Sequence, residues 1–131
     1  MKKYWIDLSD TWQNAPMAYW VHREIDGMPW YQAKQFDPPA PEKNIQGKYR
    51  IYNIEIDGFV FIFSSIYQFN ELIKIFSKKI FPSTIRLSKE RTDKYGPNSH
   101  WLARLPGNVK NWEYRQKAVK YFNKINKILF K

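Results

Sequence analysis

The chain of 131 residues contains no cysteine. Disulfides, thiolate metal sites and cysteine nucleophiles are thereby excluded. A thiol-free chain suits a reducing compartment, and the expected location is the cytoplasm. Glycine is scarce, at five residues, and scattered. No glycine-rich phosphate loop or dinucleotide fingerprint occurs, and Gly58, Gly96 and Gly107 read as turn residues. No serine stands in a nucleophile-elbow context. Long apolar runs are missing too. The longest, around Phe59–Phe63, is far too short to span a bilayer, so no membrane partner is expected. The start at Met1-Lys2-Lys3 carries the charge of a signal peptide without the apolar run that should follow. The most informative scarcity is acid in the second half. Residues 71–131 hold four Asp/Glu against fifteen Lys/Arg, a net of +11, whereas residues 1–70 hold eight against seven, a net of −1. A charge this lopsided attracts a polyanion or an acidic protein surface.

What is present supports a folded chain. Apolar residues make up 44% of the sequence, which excludes general disorder. Six Trp, nine Tyr and nine Phe supply large buried area per residue. The length fits a single domain spanning residues 1–131.

Periodicity gives an α+β reading: a mostly antiparallel sheet of about five strands packed against two helices, the second C-terminal. Residues 3–8 read as a strand, followed by a turn at Ser9-Asp10. Met17 to Glu24, rich in aromatic and β-branched residues, reads as a strand, with Asp26-Gly27 as a turn. Met28 to Phe36 reads as its partner, held to an edge by Pro29. The prolines of residues 36–44 make an extended loop. The sharpest local signal is Tyr49–Ser64: an alternating strand, the two-residue Asp57-Gly58 turn of a type I′ hairpin, and a returning strand Phe59–Phe63, apolar on both faces and expected in the centre of the sheet. Ser65 as cap and Gln68 three residues later predict a helix over 65–79, carrying Ile66, Phe69, Leu72, Ile73 and Phe76 on one face. Lys78 and Lys79 suit its negative pole. Thr84–Leu87 reads as a further strand and 88–108 as an irregular loop, of a length uncommon without a functional reason.

The last helix, about 109–130, divides around its circumference. Tyr114, Ala118, Phe122, Ile125 and Leu129 share one face. Lys117, Lys120, Lys124, Lys127 and Lys131 form a separate stripe with Lys110 at its margin, interrupted only by Glu113. Like charges three or four residues apart repel by a few tenths of a kcal/mol per pair, so an unrelieved row favours an anionic neighbour. A solvated face whose lysine stems cover apolar surface is the plain alternative. The loop upstream adds Lys89, Arg91, Lys94 and Arg104, interleaved with Tyr95, His100 and Trp101. Cations for phosphate and rings for unpaired bases are the ingredients of a nucleic-acid site, and equally of cation–π packing.

Two histidines, His22 and His100, with Arg104 could support acid–base cleavage of a phosphodiester if they met. His22 between Val21 and Arg23 reads as a surface or sheet-face residue, and His100 as a brace for its loop. Asp7, Asp10, Glu24 and Asp26 are conceivable carboxylate ligands, but Asp7-x-x-Asp10 is more simply a turn with Asp10 as a cap. Neither a metal nor a cofactor is expected. Trp5, Trp12, Trp20 and Trp30, with Tyr4, Tyr19 and Tyr31, crowd the first 31 residues as core or as an interface patch through which two copies pair.

The run Gly96-Pro-Asn-Ser-His-Trp-Leu-Ala-Arg-Leu-Pro106, followed by Lys110-x-Trp112-x-Tyr114-Arg115-x-Lys117-Ala-Val119-x-Tyr121, is similar to a segment of short uncharacterised bacterial proteins. They come from mobile or accessory gene regions, such as cassette arrays and prophages, and share a start like Tyr4–Ser9. The resemblance covers nearly the whole chain. It implies an accessory role, as a nucleic-acid-binding factor or as an inhibitor or modulator of a larger complex, and carries over no catalytic residue.

The expected function is a small, basic, non-enzymatic binding protein. Its candidate nucleic-acid-binding residues are Arg91, Lys94, Tyr95, His100, Trp101, Arg104, Lys110, Lys117, Lys120, Lys124 and Lys127. The alternatives are a protein-interaction module or inhibitor docking on a larger complex, and a small metal-independent ribonuclease.

Overall fold

The hairpin at the centre of the sequence forms as its turn residues demand. Strand β4 (Tyr49–Ile56) pairs antiparallel with β5 (Phe59–Phe63), Ile56 opposite Phe59. Asp57 at φ 51° and Gly58 at φ 91° supply the two left-handed residues of a type I′ turn. A computed structural model describes residues 1–81 and 105–130 of the chain. They divide between two compact units, Met1–Phe69 and Asn70–Lys131.

In the first unit, strand β1 (Lys2–Ser9) lies antiparallel along the other side of β4, Lys2 opposite Ile56 and Ser9 opposite Tyr49. The sheet order is therefore β1-β4-β5. Among the described residues the strand paired on both sides is β4, not Phe59–Phe63 as the sequence led us to expect. Alternation sorts the rows. Ile54, Ile56, Phe61 and Phe63 are fully buried on one face, and Phe69 closes edge-on against Phe63 at 5.4 Å.

The aromatic segment from Met17 does not extend as a strand. It winds into a short helix, α1 (Ala18–Val21), and pairs only through β2 (Arg23–Glu24) with β3 (Phe36–Asp37). The physical reason is burial. Neighbours Met17 and Ala18 are both fully buried, which a one-sided strand cannot do and a helical turn can. Met28–Phe36 likewise fails as a strand. Pro29 lacks a donor, and its carbonyl instead accepts from Gln32 (2.9 Å) and Ala33 (2.8 Å) in a turn. The Asp26 carboxylate ties that loop by accepting from the backbone of Lys34 (2.8 Å), Met28 (3.2 Å) and Gln35 (3.3 Å). Those bonds, Lys34's first, hold its pKa below the ordinary carboxylate value. The expected sheet of five strands is thus a three-stranded sheet and a separate two-stranded ribbon among the described residues.

Helix α2 (Ile66–Phe76) starts as its sequence predicts. Ser65 Oγ accepts from Gln68 N–H at 3.3 Å, and Gln68 Oε1 reaches back to Ser64 N–H at 3.0 Å, one residue earlier than in the usual capping box. In the second unit, α3 (Gly107–Lys110) precedes the terminal helix α4 (Trp112–Leu129). The described residues therefore hold four helices, where two were expected. The expected strand at 84–87 and most of the loop at 88–108 lie outside the described residues.

Candidate nucleic-acid interface

The terminal helix is anchored by its cap. The Asn111 side chain accepts from the backbone of Glu113 (2.8 Å) and Tyr114 (3.4 Å), satisfying two donors at the N-terminus. Glu113 in the first turn and Lys127 in the last both suit the helix dipole. From this start the apolar period buries Ala118, Phe122, Ile125 and Leu129. At 100° per residue the opposite side receives Lys117, Lys120, Lys124 and Lys127, and all four are exposed. The row is as expected from sequence. It rises roughly 15 Å along the helix, and Glu113 is the helix's sole acid.

Two of the basic groups sit over rings. Lys117 Nζ is 5.9 Å from the Tyr114 ring centre, and the half-buried Lys110 lies 5.9 Å from that of Phe81. Lys120, Lys124 and Lys127 have no carboxylate partner among the described residues. Three exposed ammonium groups on one helix face can donate to phosphate oxygens without first giving up an ion pair. Of the remaining sequence candidates, Arg91, Lys94, Tyr95, His100, Trp101 and Arg104 lie outside the described residues, as does Lys131.

Arg115 was missed as a structural residue. It falls on the apolar face of α4 and is 3% exposed. Its guanidinium donates to the carbonyls of Phe76 (3.2 Å), Lys78 and Lys79 (3.1 Å), and its Nε to that of Lys110 (2.7 Å). The Phe76 and Lys110 oxygens end α2 and α3, where unpaired carbonyls gather negative potential, and those of Lys78 and Lys79 follow just beyond α2. The Phe81 and Trp112 rings flank it, at 5.3 and 5.1 Å. Burial pulls its pKa down from the ordinary arginine value. The signal was present in the sequence: an arginine on the apolar stripe must find acceptors.

His22 is also corrected. It is fully buried rather than on a surface or sheet face. Nδ1 lies 2.9 Å from the Pro38 carbonyl, and Nε2 2.8 Å from Ser65 Oγ. The carbonyl can only accept, so Nδ1 carries the proton and Nε2 accepts from the serine hydroxyl. Trp12 packs edge-on at 4.8 Å. Desolvation lowers the pKa below 6.5 despite the opposing Pro38 hydrogen bond. Both ring nitrogens are occupied and the ring is fully buried; the second histidine of the acid–base expectation, His100, lies outside the described residues.

The tryptophans divide. Trp12 and Trp20 are buried, and Trp12 meets Trp30 and Phe36 edge-to-face at 5.5 and 5.0 Å, so they are core. Trp5 is exposed on β1. Asp10 pairs with Lys48, which lowers its pKa, first through the side-chain hydrogen bond. The turn after β1 is held instead by Ser9 and Thr11 hydroxyls accepting from Thr11 and Gln13 N–H. Among the described residues no three His, Asp or Glu side chains gather as a metal-ligand group, and no helix is long and apolar enough to cross a membrane. No protein-family model, curated protein or solved structure matches the chain.

Proposed function

We propose that this protein binds nucleic acid, with the lysine row of α4 neutralising phosphates. The carrying observation is that Lys117, Lys120, Lys124 and Lys127 are all exposed on the side of α4 opposite its buried face. The excess of +11 over residues 71–131 extends that field beyond the helix. The same basic half of the sequence holds Arg91, Lys94 and Arg104, with Tyr95 and Trp101 as the ring types that stack on unpaired bases. The chain performs no covalent step in this reading; its work is recognition.

Fluorescence anisotropy with labelled single- and double-stranded oligonucleotides, at two salt concentrations, tests it. Counterion release predicts a loss of roughly 10³ or more in affinity for about six phosphate contacts between low and moderate salt. Changing Lys117, Lys120 and Lys124 together to Glu should weaken binding to every sequence alike and flatten the salt slope by about one per lysine. No binding at low salt, or unchanged binding by the triple variant, overturns the assignment and turns the search to an acidic protein surface.

A further inference from the structure

Among the described residues the first strand carries an unpaired edge. β1 pairs with β4 on one side only among the described residues. It runs eight residues with neither proline nor glycine to blunt it. Natural edges of this length are normally interrupted, covered or charged; this one is neither interrupted nor covered among the described residues, and its charges are Lys2, Lys3 and Asp7. Here Tyr4, Trp5, Ile6 and Leu8 are 38%, 37%, 46% and 49% exposed. Tyr4, Ile6 and Leu8 share a face with Ile54 and Phe61, which are fully buried. The apolar face of the sheet therefore continues past its own cover onto the edge strand.

We propose that a second copy of this chain occupies that edge, the two β1 strands pairing antiparallel about a two-fold axis at Trp5. Backbone direction and charge select this pairing. The Met1 carbonyl accepts from Asp57 N–H at 2.8 Å, which directs the odd-numbered residues of β1 towards β4. The even-numbered residues Lys2, Tyr4, Ile6 and Leu8 then present their N–H and C=O groups outward, to the incoming strand. An axis at Trp5 sets Tyr4 opposite the partner's Ile6 in hydrogen-bonded pairs. It sets Trp5 opposite the partner's Trp5, and Lys3 opposite the partner's Asp7, in the non-hydrogen-bonded pairs where side chains approach closest. Opposite charges across strands favour pairing, and both such pairs form by symmetry.

Other arrangements lose this match. Moving the axis to Tyr4 or Ile6 separates Lys3 from the partner's Asp7, and parallel in-register pairing sets Lys3 against Lys3. Within one copy, Lys3 lies 3.8 Å from Glu55, and Asp7 accepts from Asn53 Nδ2 at 3.1 Å. Both side chains thus stand on one face of β1 with contacts towards β4, and the two-fold pairing adds the partner's opposite charge on the other side of each. The two-fold pairing consumes the unpaired edge of β1, so it closes at a dimer.

Light scattering coupled to size exclusion, on the full chain, tests the proposal. The wild type is expected at twice 15.9 kDa. Asp7→Lys and Lys3→Glu each set like charges opposite one another, and each should run as a monomer. An equimolar mixture of the two restores complementary pairs and should recover the dimer. A second measurement covers the case that Lys3→Glu, which sets acid against Glu55, fails to fold. The chain has no other thiol, so Trp5→Cys places two thiols across the axis. Diamide, taking up two electrons and two protons from them, should yield a covalent dimer. Leu8→Cys, away from the axis, should not cross-link. A monomeric wild type, a dimer indifferent to Asp7→Lys, or cross-linking at Leu8→Cys but not at Trp5→Cys overturns the proposal.

Discussion

A guanidinium held by backbone carbonyls, with no carboxylate beside it, gives Arg115 a role set by directional donors. Taking an isolated charge out of water costs several kcal/mol. Four carbonyl acceptors, at two helix ends and just beyond one of them, and two flanking rings offset it. Arg115→Met should lower stability by about 2–4 kcal/mol, because the carbonyls lose their donors. Arg115→Lys should not restore it, since a point charge cannot reach four oxygens in a fork. Chemical denaturation reads both. At His22 the sign follows from the lowered pKa. The unfolded state takes up the proton first, so the contribution to stability is complete above pH 6.5 and is lost as pH falls towards the folded value. Asp10 and Asp26, whose pKa values are lowered from 3.8, lose theirs only further down, through the carboxylate range. Melting curves across pH should show the His22 step in the wild type and not in His22→Gln.

At the scale of elements, what the sequence revealed followed from local chemistry. The Asp57-Gly58 turn, the Ser65 cap and the division of α4 into apolar and lysine faces each depend on residues within one or two turns of chain, and each formed. α1 did not announce itself. Its aromatic, β-branched composition favours a strand, yet burying both Met17 and Ala18 requires a helical turn, and Ala18 packs in a cluster that joins the distant Phe36 to the nearby Trp12 and Ala15. From sequence His22 reads as a surface or sheet-face residue and Arg115 has no role, because partners far along the chain leave no local signal. Their partners Pro38, Ser65, Phe76 and Lys79 lie from 16 to 43 residues away. The lysine row, legible throughout, is a stability cost carried by α4. Lys124→Glu places an acid between Lys120 and Lys127, and should stabilise the free protein by about 0.5 kcal/mol. The same change should weaken nucleic-acid binding, and thermal melts beside anisotropy would record the two opposed effects.

On the scale of the whole molecule, the charge boundary and the structural boundary coincide. The unit Met1–Phe69 is almost neutral, and Asn70–Lys131 carries the excess of cations. Repulsion inside the second unit is screened over about 10 Å at 0.1 M salt. Moderate salt should therefore raise the melting temperature of the free protein while lowering its affinity for a polyanion. Melts with and without an oligonucleotide, across a salt series, should show the two trends crossing. Within that basic unit Arg115 has one more consequence. A helix alone loses its terminal turns one residue at a time. Here the last turn of α2, the end of α3 and the first turn of α4 hang on one side chain. Their openings are coupled through it, so amide hydrogen exchange at the three sites should share one opening free energy in the wild type and separate in Arg115→Met.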